Sequence, residues 1–299
     1  MEFAIDVGGT KIAYALVDHS RIMASDRVET ADAPPAEQLR AVGRQLQAMA
    51  REAGAKVAAV GLSLPGPIAH DTLLQGPNLP KGWVGQRIQD FAAMLDLGLP
   101  LFAQRDALMG GLGEYAAGAG RGLQSLFYIT LGTGIGGGLI LDGEPLLGAD
   151  GAAGEVGHFQ AEPRGPVCGC GRRGCVEAIA AGPSIERDYA KRTGHAIGAK
   201  EIADRARAGE QAALAAYRRA GRALGVACAV VAQAANPQAV IAGGSLAESL
   251  DLLQPALLQS LRQHAWAANL PLPILPAQLG GPAPLIGAAY FARRGLGED

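Results

Sequence analysis

Apolar residues, with β-branched and aromatic ones prominent, gather in short runs near positions 3–7, 12–17, 57–62, 126–131 and 137–141, and each run predicts a strand. Longer stretches carry helical spacing near 36–53, 86–96, 106–117, 183–192, 200–207, 210–233, 248–265 and 285–294. Within them, Ala212–Ala234 is alanine-rich and apolar on more than one side, which predicts a helix buried between layers. Pro and Gly cluster around 64–67, 76–82, 163–171 and 271–284 and mark loops.

The pattern repeats. Shifted by 124 positions, Phe3, Ile5, Gly8 and Asp18 fall on Phe127, Ile129, Gly132 and Asp142. Each copy reads as apolar strand, glycine-rich turn and second strand, and each opens its own half of the chain. Duplication predicts an α/β protein of two related lobes facing each other across a central cleft, with a glycine hairpin from each side. The expected lobes are 1–117, with a C-terminal helix at about 285–299 packing back on it, and 118–284.

Composition narrows the class. At 299 residues, 49% hydrophobic and 18% charged, the chain can bury a sizeable core. Lys plus Arg is 26 against 28 for Asp plus Glu, a net charge of −2, which offers no broad cationic surface for nucleic acid or anionic lipid. No apolar run reaches the ~18 residues of a membrane span. The start, Met1-Glu2-Phe3-Ala4-Ile5-Asp6, enters a strand at once, so neither a secretory signal nor a membrane partner is expected, and a cytoplasmic location is.

The 43 glycines are about twice the usual share of roughly 7%. Gly132-Thr133-Gly134-Ile-Gly-Gly137 matches G-x-G-x-x-G formally, but a strand follows where a dinucleotide fold needs a helix. A glycine hairpin still presents backbone N–H groups with no side chain in the way, which suits phosphate. Asp6-Val-Gly8-Gly9-Thr10-Lys11 adds a carboxylate, a hydroxyl and a cation to the same arrangement, and Gly243-Gly244 follows an apolar strand and precedes a helix. Singly, each is more simply a tight turn; three of them in a repeated architecture point to a nucleotide.

Three of four cysteines lie within eight residues, at Cys168, Cys170 and Cys175, while Cys228 stands alone in an apolar run. The bland alternative is three thiols in a glycine-rich loop. With His158 they make a Cys₃His set, the composition of a closed structural zinc site, and crowded thiols are hard to keep without a metal. With one His158 ring nitrogen on zinc, the other is available to a ligand hydroxyl.

Asp-Val-Gly-Gly-Thr-Lys, Leu-Gly-Thr-Gly-Ile-Gly-Gly-Gly, Gly154-Glu-Val-Gly-His158, the run from Cys168 to Glu177, and Ala-Gly-Gly-Ser together resemble the ROK family (repressors, open reading frames, kinases) from about residue 3 to 292. The resemblance implies the actin-like, hexokinase-type (ribonuclease H-like) fold and the same four zinc ligands. Family repressors carry a helix-turn-helix domain before the first turn; here that turn starts at residue 6, so a sugar kinase is expected, using ATP with Mg²⁺ and forming a homodimer.

Position alone makes Asp106, after an apolar strand and opening a helix, a helix cap; the resemblance implies the general base that takes the proton of a sugar hydroxyl. It implies that Asp6 helps place Mg²⁺ or the transferred phosphoryl group. It also implies sugar contacts at Gly66, Asn78, Glu155, His158 and Glu177, with Trp83 beside them or in the core. One position departs: Arg105 stands where the family places Asn before the catalytic Asp, so the sugar differs, the side chain swings away or activity is impaired. The stretch 165–182 is most similar to N-acetylmannosamine kinases, and Glu155 is the glucokinase-like choice. The expected reaction is therefore phosphorylation at the 6-hydroxyl of N-acetylmannosamine, alternatively of glucose, fructose, mannose or allose. A sugar sensor that has lost catalysis is the alternative of another class.

Overall fold

A computed structural model describes residues 1–76 and 78–297. They form two compact units: Met1–Gly122 with Gly143–Ala153 and the segment beginning at Gly281, and Leu123–Asp142 with Gly154–Gly280. The segment Gly143–Ala153, which the expected boundaries put in the second lobe, belongs to the first unit. Pro77, in the expected 76–82 loop, and Glu298 and Asp299, at the end of the expected C-terminal helix, lie outside the described residues.

In the first unit, β1 (Glu2–Val7) pairs antiparallel with β2 (Lys11–Asp18), and β2 with β3 (Arg21–Glu29). β1 is buried almost throughout, as its continuous apolar run requires. β3 escaped the sequence reading because it is the sheet edge: its polar residues are exposed and little apolar signal remains. Helix α1 (Pro35–Glu52) leads to β4 (Ala59–Leu64), the two-residue strands β5 (Ile68–Ala69) and β6 (Thr72–Leu73), α2 (Ile88–Leu95), β7 (Leu101–Arg105) and α3 (Asp106–Ala117). The sheet order is β3-β2-β1-β4-β7, with β1, β4 and β7 parallel. Asp6 pairs with Ser63, and Leu64 with Arg105, so the three strands end at one carboxyl edge. Ile5, Leu16, Leu62 and Phe91 fill the core with Trp83, whose ring centroid lies 6.0 Å from that of Phe91. Trp83 is therefore a core residue.

The second unit opens with β8 (Ser125–Leu131) and antiparallel β9 (Ile135–Leu141). After the segment of the first unit that carries β10 (Glu144–Pro145), the chain builds α4 (Val176–Ala180), α5 (Gly182–Thr193), α6 (Ala199–Arg207) and α7 (Gln211–Ala235). Then come β11 (Ala239–Gly243), α8 (Leu250–His264) and β12 (Ile274–Pro276), in the order β9-β8-β11-β12 with β8, β11 and β12 parallel. The 124-residue shift carries β1 onto β8 and β2 onto β9, and β11 and β12 occupy the sheet places of β4 and β7. Each unit thus repeats one topology. Helix α7 packs on α4, α5, α6 and α8, buried along Ala216, Ala220, Ala223 and Ala227, small side chains that let neighbouring helices approach. Helix α9 (Ala283–Gly295) closes the first unit against α3, β1 and β4. No helix among the described residues is long and apolar enough to cross a membrane.

Candidate functional site

The carboxyl edge of the first sheet collects the acidic candidates. Asp6 is half-buried near the end of β1, and the Ser63 hydroxyl donates to its Oδ1 at 2.6 Å. Burial pushes the Asp6 carboxyl up, with Ser63 and the Lys11 ammonium pulling the other way. In the turn that follows, Gly8 N–H donates to the Lys11 carbonyl at 2.8 Å and the Thr30 hydroxyl donates to the Gly8 carbonyl at 2.7 Å. Thr10 and Lys11 are exposed. Asn78 lies against Gly9: a Cβ there would come within 2.7 Å of the Asn78 Cβ, so the turn keeps bare backbone at this point. Asn78 is thus placed beside the glycine turn, and Gly66, at φ 122, is backed by the Gln75 carbonyl.

β7 runs directly into α3. Arg105 holds the cap position, and Asp106 is the first helical residue rather than the cap. Its carboxylate is exposed, accepts the Ala107 N–H at 2.7 Å, and sits where a helix N-terminus favours negative charge. Arg105 is buried, 2% exposed, and its Nη2 donates to the carbonyl of Ala153. The side chain therefore neither swings out to solvent nor hangs loose; it fastens the 143–153 segment.

In the second unit the two remaining glycine turns meet. Gly132 follows β8 and Gly243 ends β11, the parallel strand beside it. Gly244 has φ 85, and a Cβ on it would come within 2.8 Å of Leu131 N, so only glycine fits where these strands end. Glu177, in the first turn of α4, accepts the Ile135 N–H at 3.0 Å, with its other oxygen 3.9 Å from Cys168 Sγ. The carboxylate thereby ties the Gly132–Gly134 hairpin, with Thr133 at its tip, to the cysteine loop. Glu155 is half-buried ahead of the short turn Val156–His158, and its carbonyl accepts the His158 N–H at 3.1 Å.

His158, Cys168, Cys170 and Cys175 offer ligand atoms that all lie within 4.8 Å of one another. Cys170 Sγ is 3.7 Å from Cys175 Sγ, and Cys168 Sγ is 3.8 Å from His158 Nδ1. Tetrahedral zinc with ordinary bond lengths would separate such atoms by about 3.6–3.8 Å. The donor set therefore fits the ion, with Nδ1 as the nitrogen turned toward the thiols. Backbone bonds shape the loop: Cys168 N–H donates to the Arg172 carbonyl and Gly171 N–H to the Cys168 carbonyl, at 2.8 and 2.9 Å. A backbone hydrogen bond from Arg172 lowers the Cys170 thiol to about 6, whereas burial pushes Cys175 up to about 12. A divalent cation is what would ionise all three together. Cys228 is alone and buried in α7, its thiol pushed up to about 12 by burial.

Ser63 was missed as a partner of Asp6; its signal was a hydroxyl in the otherwise apolar strand Ala59–Leu64. Ala153 left no signal, because a backbone carbonyl has none.

The architecture is that of the two-domain, actin-like hexokinase fold, with glycine turns at the carboxyl ends of both sheets. The ROK family sequence pattern matches residues 2–295, and the chain belongs to that family. It is 32% identical to a glucokinase of Streptomyces coelicolor over 98% of each chain. It is 33% identical to a kanosamine kinase of Amycolatopsis mediterranei (96% of this chain, 94% of that one) and 34% identical to an N-acetylmannosamine kinase of Salmonella paratyphi B (97% of each). Among solved structures, a ROK hexokinase from Thermus thermophilus superposes with a TM-score of 0.88 at 32% identity, covering 99% of this chain and 98% of that one. A ROK family glucokinase from Streptomyces griseus in complex with glucose and AMPPNP gives 0.79 at 32%, covering 98% and 99%.

Proposed function

We propose that the chain is an ATP-dependent sugar kinase that transfers the γ-phosphoryl group to the 6-hydroxyl of a hexose or N-acetylhexosamine. The observation that carries the reading is the carboxyl edge of the first sheet, where Asp6 and Ser63 lie near the ends of β1 and β4 beside a bare glycine turn and Asp106 follows β7 directly. Ligands of open α/β sheets bind at such edges.

Asp106 is the general base. Its exposed carboxylate accepts the hydroxyl proton as the sugar oxygen attacks the γ-phosphorus; the bond from phosphorus to the bridging oxygen breaks, and ADP leaves. Gly8, Gly9, Thr10 and Lys11 are the proposed phosphate contacts of the first unit, and Gly132, Thr133, Gly134, Gly243 and Gly244 those of the second, each turn taken by itself. Magnesium, arriving with ATP, supplies charge neutralisation at the phosphate oxygens. Asp6 fits a role toward it, since a carboxylate pushed up by burial gains from a nearby cation. Gly66 and Asn78 in the first unit, and Glu155, Glu177 and the second ring nitrogen of His158 in the other, are the proposed contacts to sugar hydroxyls, and Arg105 braces the first unit through Ala153. Zinc at His158, Cys168, Cys170 and Cys175 holds the 158–177 loop.

N-acetylmannosamine is the first substrate proposed, supported by the 165–182 stretch and by the Salmonella relative. Glucose is the second, supported by Glu155 and by the glucose-bound Streptomyces griseus enzyme. A coupled ADP-release assay over N-acetylmannosamine, glucose, kanosamine, fructose, mannose and allose tests the reading, with the highest kcat/KM expected for N-acetylmannosamine. Thermal stabilisation by a sugar with no ADP released from any of them would sink the kinase and leave a sugar binder. We further propose a homodimer working in the cytoplasm; sedimentation of the purified chain as a monomer would refute the first.

A further inference from the structure

The cysteine loop and helices α5 and α7 of the second unit enclose a hollow of about 310 Å³ whose charge is one-sided. Arg164 and Arg173 come from the loop, Arg187 and Lys191 from α5, and Arg219 from α7; Asp188 is the sole carboxylate among the described lining residues. That carboxylate is already engaged. Arg219 Nη1 lies 2.6 Å from its Oδ1, and Arg192 Nε lies 2.7 Å from its Oδ2. The other nitrogens of Arg219 fork onto both oxygens of the neighbouring Glu162, at 3.0 and 2.6 Å.

Both local acids are therefore spent on Arg219 and Arg192. Among the described residues no carboxylate pairs with Arg164, Arg173, Arg187 or Lys191. Arg187 instead donates to the hydroxyl of buried Ser184 at 2.8 Å, and Ser184 donates to the Glu177 carbonyl at 2.8 Å, so this guanidinium is braced by neutral groups. A solvated basic face would spread its charges over a convex surface. Here four uncompensated cations ring a concavity, which focuses their field inward. Arginine forks match phosphate oxygens two at a time, and a ligand of several negative charges relieves the mutual repulsion of the rim.

We propose that this hollow is a binding site for a small polyanion carrying two or more phosphoryl groups. None of the glycine-turn residues lines it, and the inference is independent of the kinase reading. A second hollow of about 160 Å³ shares Ala178, Ser184 and Arg187 with it and reaches Thr133, so the test relies on residues that line the first hollow alone.

The probe is tripolyphosphate, followed by calorimetric titration and thermal unfolding of the full chain at low salt, with pyrophosphate, orthophosphate and sodium chloride at matched ionic strength. Tripolyphosphate is expected to raise the unfolding temperature most and orthophosphate least. The variant Arg164→Ala/Lys191→Ala is expected to bind tripolyphosphate at least ~10-fold more weakly, as the loss of two charge-assisted contacts implies. Its unfolding temperature without anion should be unchanged or higher, since a repulsive pair is gone. Hydrogen exchange on the unsubstituted protein should slow in 162–175 and 184–192 when tripolyphosphate binds. Equal affinity in both proteins, a gain no larger than sodium chloride produces, or protection confined to other segments would each overturn the site.

Discussion

A base that acts on an alcohol must be reachable, and Asp106 is exposed at a helix N-terminus, where negative charge is favoured. Asp106→Asn keeps the shape and removes the proton acceptor. Its kcat should fall by roughly 10²–10⁴-fold, while the rise in unfolding temperature produced by sugar persists; loss of both effects together would make Asp106 a structural residue. Arg105 belongs to the same scale. Its buried bond to the Ala153 carbonyl sets the segment that leads into Glu155, so Arg105→Asn is expected to change the ranking of sugars by kcat/KM. The same change should cost about 0.5–1.5 kcal/mol through the lost bond to the part-buried Ala153 carbonyl. Identical kinetics on every sugar would remove Arg105 from the site. The sequence showed that position 105 departs from its family, but not where the guanidinium goes, since its partner is a backbone oxygen 48 residues away.

At the scale of elements, short backbone bonds within the cysteine loop help bring four donors together. The cluster was legible because the spacing of Cys168, Cys170 and Cys175 is local. Purified protein should hold about one zinc per chain, and a strong chelator or Cys170→Ser should release it and lower the unfolding temperature; metal analysis finding none in the untreated protein would refute the assignment. Helices of eight residues or more, such as α1, α3 and α7, were readable from their periodicity. Helix α4 and β12 were not, at five and three residues, since neither completes enough periods to stand out. Gly244→Ala tests the junction of β8 and β11: a Cβ would press on the end of β8 from a left-handed backbone. A destabilisation of about 1–3 kcal/mol is expected, measured by urea unfolding.

Across the whole molecule, acids of opposite tendency give the stability profile its shape. Burial raises Asp6 above its ordinary 3.8, so its contribution is fully present below that value and is lost as pH rises through the raised one. Hydrogen bonds from Arg219 lower Glu162 below 4.5; Asp188, against the upward pull of its burial, is held below 3.8 by Arg192 and Arg219. Their contribution is present above those ordinary values and is lost as pH falls through the lowered ones. Without nucleotide or magnesium, urea unfolding from pH 4 to 7.5 should show the advantage of wild type over Asp6→Asn shrinking as pH rises. Its advantage over Asp188→Asn should hold across that range and shrink only as the series is carried below about pH 3.8. Curves of the same slope would contradict the assignment.

The sequence by itself determined the repeated strand–turn–strand unit, the glycines of its turns, the close spacing of three cysteines and the acid that opens α3. Each of these is written in residues a few positions apart, where periodicity and local sterics act. Only the tertiary structure decided that Ser63 steadies Asp6, that Asn78 backs Gly9, that Arg105 turns inward to Ala153, and that Glu162 and Asp188 are spent on Arg219. Those contacts join residues up to 69 positions apart across strands and helices, and which partners meet is set by sheet register and helix packing, which no local pattern encodes.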